Sequence, residues 1–351
     1  MKKSYILIIS FSSMFSLLSG MDNWQRKVFA ANGISNIPEY GTQERLRSVC
    51  FGAELYVAAG EYDGNGVIYS SDGLSGWNYA YEEIDDSILS VTYGYDFISV
   101  TSGGKIILSS DAKDWTIVFS DASFSFTKAM FANGIYMICG NHNESSVILS
   151  SFDGMNWKVV YISSDGELVD IAFGSGVWIC IDYSGDVYLS VNGEAWTSSM
   201  LVDNVVLRGI AYGSGYFVAA GFFESDESGF IARSPDGMNW EVIENQNLEK
   251  FDCVAYGANV FMILGYDIIY SLNQGKDWHV QTEGNHWFDR YFGAYYNNQY
   301  FICVGGYYPD GNMYSVSLKI NRDSLSGNPS VSMTSLSSVR QGLCCGWVLS
   351  A

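Results

Sequence analysis

Ser234-Pro235-Asp236-Gly237-Met238-Asn239-Trp240 ends one apolar run, turns, and opens the next with a tryptophan. The chain repeats this phrase with variations: Ser70-Ser71-Asp72-Gly73 running to Trp77, Ser110-Asp111 to Trp115, Ser151-Phe152-Asp153-Gly154 to Trp157, Ser190-Val191-Asn192-Gly193 to Trp196, and Ser271-Leu272-Asn273 to Trp278. The six tryptophans are 38, 42, 39, 44 and 38 residues apart. A fixed period near 40 residues marks a repeat architecture. Within the phrase, the Asp side chain accepts turn N–H bonds, Gly takes positive φ, and the Ser hydroxyl adds a further bond. Asn192 and Asn273 stand for Asp in two copies, which fits hydrogen bonding better than a catalytic charge.

Outward from the phrase, each unit reads as four short strands. In one unit these are Leu207 to Tyr212, a turn at Gly213-Ser214-Gly215, Tyr216 to Ala220, a loop, Phe230 to Arg233, the Asp turn, and a strand opening at Trp240. Four strands with turn chemistry at each reversal describe a propeller blade. First strands begin near Leu46, Ile88, Phe126, Leu168, Leu207, Phe251 and Tyr291, giving seven units. The last, Tyr291 to Ile320, lacks a fourth strand, and Asp22 to Phe29 reads as an orphan fourth strand with its own Trp24. The expectation is an all-β, seven-bladed β-propeller of four-stranded blades, closed by the N-terminal strand so that no sheet edge is left open. A six-bladed ring with the last unit appended is the alternative.

Ser-x-Asp-Gly-x-x-Trp, preceded by Ala-Tyr-Gly-x-Gly-x-Phe-Val-Ala at 211–219, resembles the Asp-box (BNR) repeat propellers, the superfamily of sialidases, sortilin-type receptors and photosystem assembly factors. The resemblance covers roughly Asp22 to Ile320. It implies the fold, and a structural Asp turn on the outer rim. It leaves function open, because the family spans enzymes, receptors and scaffolds.

Composition narrows the partners. The net charge is −20 and the pI about 4.3, so the basic stripe that nucleic acid requires is missing. Lys2 and Lys3 precede an apolar run from Tyr5 to Leu18 and Ser19-Gly20, the layout of a secretory signal over residues 1–20. A propeller over 21–320 and a flexible Ser-rich tail over 321–351 complete the expected organisation, with secretion to the periplasm, cell surface or medium. No later stretch is long and apolar enough for a membrane span. The seven cysteines are odd in number; Cys50, Cys139, Cys180, Cys253 and Cys303 lie in apolar strands and read as small core hydrophobes rather than a disulfide framework. Cys344-Cys345 falls in the tail.

The chemistry-bearing residues are few. Histidines 142, 279 and 286 show no ligand spacing, and no nucleophile elbow or phosphate loop appears; no metal or cofactor is expected. The sialidase-like hydrolase alternative rests on Arg47, Arg208 and Arg290 at the starts of first strands and requires them to converge. Against it, Asn36-Ile37-Pro38 has Asn where those enzymes carry Arg. A hydrolase of another kind needs two carboxylates at a set separation, which 38 acidic residues always offer. The connections between second and third strands share the face opposite the Asp turns, and there aromatics sit beside acids: Tyr62 and Asp63, His142, Tyr183, Phe222, Phe223, Glu224 and Asp226, then Tyr307, Tyr308 and Asp310. Such pairs suit sugar stacking or a cationic protein surface, although an acidic, aromatic-rich chain shows similar loops by chance. Phe222-Phe223 is the first candidate for contact. Asn143-Glu144-Ser145 is a single sequon. The expected function is a secreted, monomeric, non-catalytic propeller that binds a glycan or protein partner through its loop face; an assembly scaffold is the further alternative.

Overall fold

The computed structural model describes residues 24–28, 44–72, 77–83, 86–164, 166–243, 248–281, 289–297, 300–307 and 314–321. The expected signal segment, Tyr308, Asp310 and the tail beyond Asn321, with Cys344-Cys345, lie outside these residues; Asn321, expected in the tail, ends a strand. Among the described residues the strands form seven four-stranded antiparallel sheets. Six are built from consecutive strands, the count of the six-bladed alternative. The seventh joins Asp289–Tyr296, Tyr300–Tyr307 and Tyr314–Asn321 to the N-terminal strand Trp24–Val28, with Trp24 opposite Ile320. The first strands, Glu44–Gly52, Ile88–Tyr93, Phe124–Ala132, Leu168–Gly174, Val205–Gly213, Phe251–Gly257 and Asp289–Tyr296, each neighbour the next, and the last returns to the first. They form the inner wall of a closed ring. Among the described residues no helix is long and apolar enough to cross a membrane.

The second strands explain the core. Tyr216–Phe223 is buried over all but its ends, because both sheet faces are covered by neighbouring blades. Strand alternation then divides its side chains: Phe217 and Ala219 join Ile179 and Ile181 of the preceding blade, while Val218 and Ala220 join Phe261 and Ile263 of the next. A strand buried on both faces needs a continuous apolar run, as the sequence shows. Outer strands lose one cover, and Thr197–Met200 is exposed throughout. Cys50, Cys139, Cys180, Cys253 and Cys303 are free and buried.

Two devices recur around the ring. At the end of five of the first strands an aromatic lies over a glycine of the preceding blade. Tyr212 covers Gly174 so closely that a Cβ there would stand 1.9 Å from its ring, and Tyr93, Phe131, Tyr256 and Tyr296 similarly crowd Gly52, Gly94, Gly213 and Gly257. Every first strand also carries one unpaired residue, the bulge between Leu46 and Ser48, Ile88 and Ser90, Phe126 and Lys128, Leu168 and Asp170, Leu207 and Gly209, Phe251 and Cys253, Tyr291 and Gly293. A bulge bends its strand and re-aims a side chain. The seven bulge residues are Arg47, Leu89, Thr127, Val169, Arg208, Asp252 and Phe292.

Candidate binding site at the channel mouth

The innermost strands leave one edge of backbone groups facing the axis, and buried backbone groups need partners. Side chains of the preceding blade supply some: Ser48 Oγ accepts from Val91 N at 3.1 Å, and Asp170 Oδ2 accepts from Ile210 N at 3.0 Å. All seven first strands line a cavity of about 370 Å³ on the axis. Lys128 Nζ stands 3.2 Å from Asp170 Oδ1 within it. Burial works to lower the Lys128 pKa, but the Asp170 carboxylate together with Cys253 and Cys139 outweighs it and the net shift is upward. Burial pushes the neighbouring Cys253 thiol up to about 11 despite Lys128. Among the described residues no three His, Cys, Asp or Glu side chains gather as a metal site would require.

At the end of the channel opposite the Asp turns, arginines at or near the bulges stand against aromatic rings. Arg290 donates to both oxygens of Asp252, at 2.6 and 2.7 Å, and stacks over Tyr266 and Phe292 at 5.0 and 5.3 Å. Arg45 lies over the same Phe292 at 5.4 Å. Arg47 donates to Glu61 at 2.9 Å, Arg45 pairs with the same carboxylate at 3.6 Å, and Ser87 Oγ donates to it at 2.5 Å. Burial raises the Glu61 pKa, but Ser87, Arg47 and Arg45 together hold it below the ordinary glutamate value. Arg208 stands between Tyr183 at 5.1 Å and Phe222 at 5.9 Å, and Lys250 approaches the Phe222 ring at 5.6 Å. Such contacts are worth about 0.5–2 kcal/mol each, more as water is excluded.

The expected sites are therefore placed unevenly. Tyr183 remains on the surface at 37% exposure. Phe222, expected as an exposed contact, is only 8% exposed; alternation turns it inward, where it floors the Arg208 and Lys250 side chains. Phe223 is half-buried and meets Phe230 edge-on at 5.4 Å. Tyr62 packs on the core of its blade, and His142 packs on Phe124 at 4.4 Å. Asp63 is an exposed turn residue at φ 50°, followed by Gly64 at 86°, the pair of positive angles a two-residue hairpin needs. Asp226 caps its own loop by accepting from Ser228 N and Oγ at 3.0 and 2.7 Å, and these bonds lower its pKa. Glu224 is exposed. Tyr307 ends its strand. The connections between second and third strands vary in length: Asp63-Gly64, Asn143-Glu144 and Tyr266-Asp267 are two-residue hairpins, while residues 224–228 form a longer loop. Arg47, Arg208 and Arg290 have separate partners, and only Arg47 lines the axial cavity.

Sequence reading passed over Arg45, Asp252, Phe292 and the Lys128–Asp170 pair. For Asp252 and Phe292 the signal was the bulge position itself, visible only when the seven first strands are aligned with each other; Arg45, Lys128 and Asp170 lie one or two residues from a bulge. The Asp turns behave as their residues predict. Asp153 Oδ1 accepts from Met155 N and Asn156 N at 2.9 and 2.8 Å, and Ser151 Oγ accepts from Gly154 N at 2.9 Å. Asn192 makes the same bonds to Glu194 N and Ala195 N at 3.0 and 2.9 Å. Backbone donors hold the Asp236 pKa down to about 2.

No family model and no curated protein matches this chain. Among solved structures it is similar to one described as YCF48 bound to D1 peptide, at 14% identity and a TM-score of 0.66, covering 86% of this chain and 96% of that one. YCF48 from Cyanidioschyzon merolae is similar at 12% identity and a TM-score of 0.62, over 86% and 99% of the two chains. The WD40 propeller domain of Doa1 is similar at 13% and 0.56, over 79% and 94%. At these identities the likeness is one of fold, and the chain is a β-propeller.

Proposed function

We propose that the chain is a secreted, non-catalytic propeller that binds a protein partner at the channel mouth opposite the Asp turns. The observation that carries this reading is the gathering of Arg45, Arg208 and Arg290 on aromatic rings there, with Arg47 beside Arg45 on Glu61, in a chain of net charge −20. Arginine beside aromatics is the composition of binding hot spots. The separate partners of Arg47, Arg208 and Arg290 support binding over sialidase-like chemistry, which needs them in one pocket. One neighbour of this fold is described with a peptide bound. Secretion rests on the signal-like residues 1–20.

The test places a photo-crosslinking residue at the exposed mouth-face positions Asp63 and Glu224, and at Phe152 and Met238 on the Asp-turn face, in the native secretion. Cross-links from the first pair alone are expected; cross-links from the second pair alone overturn the reading. A glycan ligand is the second reading, favoured by the partly exposed Tyr183 ring. Selective retention of the full chain on a glycan array, without protein cross-links, would establish it instead.

A further inference from the structure

Five arginine side chains are described, and four have a carboxylate within 4 Å: Arg45 and Arg47 share Glu61, Arg233 holds Glu241, and Arg290 holds Asp252. Among the described residues Arg208 is the exception. In a chain with 38 acidic residues, its charge meets only the Tyr183 and Phe222 rings. Its Nε is buried with no hydrogen-bond partner. The nearby acids are otherwise engaged: Glu227 pairs with Lys250 at 3.0 Å, and Asp226 caps Ser228. A buried donor left unmade costs about 1–3 kcal/mol, and proteins retain such costs where function draws on them.

The position is also held rigidly. Arg208 is the bulge residue between Leu207 and Gly209. A Cβ on Gly209 would stand 2.8 Å from Val254 N, and one on Gly221 would stand 1.8 Å from Val206 O, so the two glycines fix the backbone from both sides. The rings on either side fix the side chain, leaving the terminal nitrogens as its free donors. A planar, preoriented guanidinium with open donors matches a carboxylate bidentately.

We infer that Arg208, cradled by Tyr183 and Phe222, is a carboxylate-binding anchor for an acidic peptide segment of the partner. This deepens the mouth-face reading and rests on it. The carboxylate is either the free C-terminus of that segment or an Asp or Glu side chain, and charge complementarity with the guanidinium selects both. An aliphatic or aromatic neighbour on the peptide would cover the exposed part of Tyr183.

The experiment uses the full chain and an immobilised set of short peptides, each made as free acid and as C-terminal amide, with and without Asp or Glu. Retention of acids over amides identifies the terminus as the source; retention of Asp- or Glu-containing amides identifies the side chain. Arg208→Gln is expected to weaken retention about tenfold or more, with Arg208→Lys intermediate and the unfolding midpoint unchanged or raised. Should Arg208→Gln fail to fold, Arg208→Lys carries the same comparison. Equal retention by wild type and the folded variant overturns the inference. So does retention of acidic glycans with no peptide bound. Mouth-face cross-links that persist in Arg208→Gln would refute the anchor alone, whereas their absence in wild type refutes the wider reading.

Discussion

The two faces of the ring use the same strands differently. On the Asp-turn face the turns after Ser151, Ser190 and Ser234 repeat one solution: a Ser hydroxyl, an Asp carboxylate or Asn amide oxygen and a Trp hold nearly identical turns. Its exposed apolar residues include Phe152 at 73% with Met155 on one blade, then Val191, Met238 at 66% and Leu272 on one blade each. On the mouth face the bulge recurs in every blade, but its occupant changes from Arg to Leu, Thr, Val, Asp or Phe. Where the backbone device is constant and the side chain is not, the device is structural and the side chain is available for recognition.

The sharpest separation comes from Phe222→Ala. It removes a buried ring from the mouth face and should cost about 4 kcal/mol, read by denaturant unfolding, so loss of binding in this variant would report the fold. Gly174→Val tests the opposite face; displacing the Tyr212 ring should cost about 3 kcal/mol without altering the mouth, and a stability loss below about 1 kcal/mol would break the account of the aromatic wheel. Ser151→Ala removes the buried acceptor of Gly154 N and should cost about 1–2 kcal/mol, with partner cross-linking at Glu224 unchanged. The smallest effect belongs to Glu61→Gln, about 1 kcal/mol at neutral pH. The folded-state pKa of Glu61 lies below its ordinary 4.5. Its ionised contacts therefore stabilise above that ordinary value and are lost as pH falls through the depressed one. Wild type and variant should converge in acid, and a gap that widens there would contradict the assignment.

Much of the ring was legible because its rules are local. The Asp-turn phrase, the Ser-Gly reversals and the apolar second strands each follow from a few adjacent residues, and the orphan strand near Trp24 announced the closure. The mouth was not legible in the same way. Arg208 and Phe222 are fourteen positions apart in the sequence, and the second strand runs on through Gly221 to Phe223, so Phe222 reads as a loop residue and proves buried. Tyr266 and Arg290 meet across a blade boundary that no spacing rule describes.

The clasp between Trp24–Val28 and Tyr314–Asn321 also has a consequence in time. The first strand to leave the ribosome is the last to find its partner. Bringing such distant points together from a fully disordered chain costs about 5 kcal/mol in closure entropy alone, so the ladder forms economically only after the intervening blades have stacked and brought its ends near. Until then Tyr314–Asn321 offers an open edge to other chains. A chain halted before the last blade would carry an unmatched strand, a defined species for cellular quality control to recognise.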